Sequence, residues 1–74
     1  MDRLGLLCRN IYENNKMTQR ELAAAMNLSL GTCNHLVKEG LDRELFTFDP
    51  ADGSYSLLKG GVELLRNYRM DSAV

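Results

Sequence analysis

The chain has 74 residues, a formal net charge of −1, 45% hydrophobic residues and 26% charged ones. A chain of this size buries only about 60% of the surface its unfolded form exposes, which predicts one domain with one small core. The composition excludes wholesale disorder, no apolar run reaches the roughly 20 residues that span a bilayer, and no signal-peptide pattern opens the chain.

Leu4, Leu7, Cys8, Ile11 and Tyr12 recur at helical spacing, which predicts an amphipathic first helix over 2–13. Thr18 with Glu21 three residues on is a capping-box pair. It opens a second helix from Gln19 to Met26, with Leu22, Ala23 and Met26 inward. Asn27 stands where the chain must turn, and asparagine tolerates a left-handed backbone. Ser29 is the natural N-cap of a third helix, whose expected buried stripe is Cys33, Leu36, Val37 and Leu41. Gly31 and Gly40 weaken that helix intrinsically, so packing must hold it.

After Glu44 the period changes to alternation. Leu45–Phe48 reads as a strand, Asp49-Pro50-Ala51-Asp52-Gly53 as a turn, and Ser54–Leu58 as the returning strand. Phe46, Phe48 and Tyr55 are expected in core and sheet. Gly60-Gly61 then leads into a short last helix carrying Val62, Leu64, Leu65 and Tyr68. The fold expected is mainly α with a small β-hairpin, in the order α-α-α-β-β-α: a winged helix-turn-helix over 1–70. Residues 71–74 are expected to be a linker or the start of a further C-terminal domain, since an Ala-Val end just after a helix has nothing to pack on.

Charge divides along the chain. Through Lys38, five basic side chains (Arg3, Arg9, Lys16, Arg20, Lys38) face three acidic ones, a net +2. From Glu39 onward, Arg43, Lys59, Arg66 and Arg69 face seven acidic residues, a net −3. If the third helix reads DNA, its outward residues are Ser29, Leu30, Gly31, Thr32, Asn34, His35 and Lys38. Asn34 carries the donor–acceptor pair that matches adenine. His35 and Lys38 can donate to phosphate or guanine, and Ser29 and Thr32 can bond phosphate or base edges. Gly31 permits close approach of the backbone. Thr18, Gln19 and Arg20 would hold the DNA backbone at the start of the second helix. Against this, Asp49 and Asp52 at the hairpin tip would repel phosphates. Either the wing points away, or the domain does not bind DNA.

The stretch MTQRELAAAMNLSLGTCNHLVKEG, with Ala23 at the close helix crossing and Asn27 in the turn, resembles the helix-turn-helix region of MarR-type regulators. The resemblance implies sequence-specific binding of double-stranded DNA in bacterial transcriptional control, with a second copy of the chain, in a homodimer, as one candidate partner; without a bilayer-spanning run or signal peptide, the default compartment is the cytoplasm. A second stretch, LLKGGVELLRNYRMDSAV, is similar to the junction between a winged helix and a choline-phosphate cytidylyltransferase-like nucleotidyltransferase domain. There Tyr68, Arg69, Asp71, Ala73 and Val74 match. That implies the alternative: an N-terminal regulatory or protein-interaction module contacting its own C-terminal catalytic domain. A pure dimerisation module is a third possibility.

No enzymatic activity, cofactor, metal or membrane partner is expected of these residues. His35 has no nucleophile or carboxylate partner in sequence, and there is no Gly-rich phosphate loop. Cys8 and Cys33 lack ligand-spaced neighbours and fall at apolar positions, where a thiol packs as a small hydrophobe.

Overall fold

The structure is a computed structural model that describes residues 3–73, with side chains described through Asn67. Its elements run α1 (Arg3–Glu13), α2 (Gln19–Met26), α3 (Leu30–Asp42), β1 (Phe46–Asp49), β2 (Ser54–Leu57) and α4 (Lys59–Ala73). The strands pair antiparallel in the register Phe46 with Leu57, Thr47 with Ser56, Phe48 with Tyr55 and Asp49 with Ser54.

Each end of α2 is fixed by local chemistry that the sequence announces. The Thr18 N–H donates to the Glu21 carboxylate at 2.9 Å, and the Glu21 N–H donates to Thr18 Oγ1 at 3.1 Å, closing the expected capping box. At the other end Asn27 adopts φ 57°. The N–H of Leu28 reaches the Ala23 carbonyl and that of Asn27 the Ala24 carbonyl, the paired bonds of a Schellman turn. The chain leaves α2 sharply and enters α3 after three residues, where the Ser29 hydroxyl accepts from the Thr32 N–H.

A second Schellman turn ends α3. Glu44, at φ 58°, takes the left-handed place, with Glu44 N–H bonded to the Leu41 carbonyl and Leu45 N–H to the Gly40 carbonyl. This turn leads into β1, whose Phe46 packs against Gly40 of the helix. Beyond the hairpin, the Asn15 carbonyl accepts from the Tyr55 N–H at 2.8 Å, tying the α1–α2 loop to the edge of β2.

The core gathers Leu4, Leu7, Cys8 and Ile11 from α1, Leu22, Ala23 and Met26 from α2, and Cys33, Leu36 and Val37 from α3. Leu45, Phe46 and Tyr55 join it from the wing. Both cysteines are buried in it, as their apolar spacing predicts.

Five expectations need correction. Tyr12, expected on the apolar stripe of α1, is 62% exposed, and the buried stripe ends at Ile11. Leu41 lies on the exposed side of α3, because the Schellman turn begins there and the buried stripe passes instead through Gly40. Phe48 is also exposed, lying over the Tyr55 ring at 4.8 Å between centroids, and Val62 is exposed on α4. The last helix is not short: it starts at Lys59, includes both glycines, and runs 15 residues to Ala73. Gly61 sits inside it because a Cβ there would strike the Leu45 carbonyl oxygen. The Tyr68 side chain and the 68–74 run that carries the nucleotidyltransferase resemblance lie outside the described side chains.

Candidate nucleic-acid interface

The outward surface of α3 follows from its packing. Cys33, Leu36, Val37 and Gly40 face the core. Helical spacing therefore turns Gly31, Asn34, His35 and Lys38 the other way, and all four are exposed. They stand at i, i+3, i+4 and i+7, one ridge two turns long. Leu30 flanks its first turn with 42% of its surface exposed.

The other candidate residues are placed nearby but differently employed. Ser29 Oγ donates to Thr32 Oγ1 at 2.9 Å while accepting from the Thr32 N–H, so these two hydroxyls are engaged with each other. Thr18 is closed in the capping box. Its two bonds hold the Glu21 carboxyl below the usual glutamate range, the backbone amide contributing most. Gln19 is half-buried, and Arg20 beside it is exposed.

Gln19 serves the architecture on two sides. Its carbonyl accepts from Cys33 Sγ at 3.4 Å, and its side chain hydrogen-bonds the Tyr55 hydroxyl. Burial pushes the Tyr55 hydroxyl up and the Gln19 bond acts against that rise, so Tyr55 stays a neutral donor–acceptor at physiological pH. Burial likewise pushes the Cys33 thiol up. Tyr55, read from sequence only as core, thus locks the wing to the start of α2. Alternating strand pattern finds such a residue but not the partner of its hydroxyl.

The charged groups around the ridge are uneven. The first turn of α3 carries no acidic residue. Farther along, Lys38 and His35 share a shallow depression with Glu39 and Asp42, and Glu39 pairs with Arg43 at 2.9 Å. At the wing tip both carboxylates are folded into their own turn. Asp49 Oδ1 accepts from the Ala51 N–H at 2.9 Å, and Asp52 Oδ1 accepts from the Ser54 N–H at 3.0 Å and its hydroxyl at 2.6 Å. Those Ser54 bonds, with a smaller contribution from the Lys16 charge, hold the Asp52 carboxyl below the usual range.

Two helices packed on one core with Ala23 buried in it, joined by a three-residue turn and followed by an antiparallel hairpin, leave one architecture. The chain has the winged helix-turn-helix fold. A model of the winged helix-turn-helix DNA-binding family matches residues 4–39, which takes in α1, α2 and most of α3. No curated protein matches the chain by sequence. Among solved structures it is similar to ScaR with bound Zn2+, at 26% identity and TM-score 0.79 over 92% of this chain. It also resembles the S. aureus MepR–DNA complex, at 18% identity and TM-score 0.73 over 99% of this chain. A third neighbour is the O-methyltransferase NcsB1 from neocarzinostatin biosynthesis, at 24% identity and TM-score 0.66 over 82% of this chain. The domain spans 33% of ScaR's length, 57% of MepR's and 18% of NcsB1's. The last two likenesses are of fold alone.

Among the described residues, no three His, Cys, Asp or Glu side chains group as metal ligands. No helix there is long and apolar enough to cross a membrane.

Proposed function

We propose that this domain binds double-stranded DNA sequence-specifically, as the DNA-reading part of a bacterial transcriptional regulator of MarR type acting in the cytoplasm. The observation that carries the reading is the ridge Gly31, Asn34, His35 and Lys38, exposed along two turns of the second helix of a helix-turn-helix. A helix fits the major groove, and such a ridge is what a recognition helix presents to base edges. The similarly folded MepR is found in complex with DNA, which supports the same reading.

In this account Lys38 and Arg20 meet phosphates, and Asn34 meets a base. With Lys16 added, about three phosphates are neutralised per domain, which gives a log–log salt slope of roughly −3. That is shallow, so useful affinity comes from two copies on two half-sites. The carboxylates of Asp49 and Asp52, occupied in their own turns, sit in a wing that stays off the phosphates.

A low-salt titration of the domain with duplexes from a random pool tests the proposal. Lys38→Ala should weaken every sequence alike, whereas Asn34→Ala should lower discrimination between sequences. Absence of binding by an enforced dimer contradicts it.

A further inference from the structure

Several polar side chains at the interface are already committed within the domain. Ser29 and Thr32 bond each other through their hydroxyls, Thr18 closes on Glu21, and Gln19 is held by Tyr55. The residues left to meet bases are Leu30, Gly31, Asn34 and His35, with Lys38 beyond them on a phosphate. Past Lys38, Glu39 and Asp42 flank the ridge, and their charge keeps the last turn of α3 off the phosphates. The first two turns are therefore the part that enters a groove.

Leu30 is the unusual member of that part. It is apolar and 42% exposed, on a face whose other members are polar or lack a side chain. Beside it stands Gly31, where a Cβ would meet no atom within 4 Å. Nothing inside the described domain requires glycine there, although glycine weakens a helix. A bare backbone next to an exposed leucine is a surface that can sit low against another molecule.

We infer that Leu30 reads a thymine, seating its methyl groups on the thymine C5-methyl, while Asn34 reads an adenine within two base pairs of it. This rests on the DNA-binding reading above and adds the base composition of the site. Thymine's methyl is the apolar group on the major-groove edge, and asparagine is bidentate to adenine N6 and N7. Four residues advance about 6 Å along a helix, and stacked base pairs lie about 3.4 Å apart. Leu30 and Asn34 therefore address pairs one or two steps apart.

The test uses the 74-residue chain and the duplex it selects from a random pool at low salt. Each thymine is replaced in turn by uracil, which removes only the methyl group. One position in each half-site should weaken binding about fourfold when substituted singly, the loss equivalent to one buried methyl. Leu30→Ala should bind the thymine and uracil duplexes equally at that position; Leu30 is exposed, so the variant keeps its fold. Binding that is indifferent to every thymine-to-uracil change overturns the inference and leaves the DNA-binding reading standing. So does a uracil penalty that persists unchanged in Leu30→Ala. No duplex selected at all overturns both.

Discussion

Gly40 and Phe46 touch where a side chain would otherwise stand: a Cβ on Gly40 would overlap Cε2 and Cζ of the Phe46 ring. Phe46 is 1% exposed and meets Tyr55 edge-on at 5.7 Å, so the ring has no room to retreat. The contact sets how closely the wing approaches the recognition helix. Gly40→Ala should destabilise the domain by about 1–2 kcal/mol, strain from overpacking outweighing alanine's better helix propensity. Urea denaturation of the variant measures it.

Gly31→Ala in the same helix should act in the opposite direction. Its Cβ meets nothing, so alanine should stabilise the fold by about 0.4–1 kcal/mol. The added methyl stands on the proposed DNA face and should weaken binding. Parallel denaturation and DNA titration read both effects, and a variant both more stable and tighter-binding would contradict the assignment of that face.

Glu44 holds a left-handed conformation at φ 58°, which costs a non-glycine residue about 1 kcal/mol or more. The Schellman turn imposes it, through the bonds to the Leu41 and Gly40 carbonyls. Glu44→Gly should raise stability by about 0.5–1 kcal/mol, seen as a higher denaturation midpoint.

The depressed Glu21 carboxyl makes α2 acid-sensitive. Its folded value lies below its unfolded one because the charged form is bonded to the Thr18 amide and hydroxyl. The resulting stability is fully present above the ordinary glutamate range and is lost as pH falls through the lowered folded value. An NMR titration should find Glu21 ionising at lower pH than a free glutamate. In Thr18→Ala, which loses the hydroxyl bond, it should move part of the way back up.

Local signals made much of this fold legible in the sequence. Thr18 with Glu21, Asn27, and Ser29 each act through atoms a few residues away, so their spacing alone fixed both ends of α2 and the start of α3. The failures are tertiary. Leu41 fits the periodic stripe, but the wing's Phe46 fills that part of the core through Gly40. Gly60-Gly61 reads as the lead into the last helix, yet both lie inside α4, where the Leu45 carbonyl leaves no room for a Cβ on Gly61. At the interface, residue type identified the candidates. It could not tell that Ser29, Thr32 and Gln19 have internal partners while Leu30, Asn34 and Lys38 face outward, because that division depends on hydroxyl directions and on Tyr55, 36 positions from Gln19.

The central claim, that the outer face of α3 meets DNA, is tested most directly by amide chemical-shift mapping. The 15N-labelled domain is titrated at low salt with its selected duplex. The account predicts that shifts concentrate at Gly31, Asn34, His35 and Lys38, with Arg20 joining them and the Asp49–Gly53 tip unmoved. Shifts centred instead on the groove lined by Tyr12, Leu57 and Val62, or none at any DNA concentration, would contradict it.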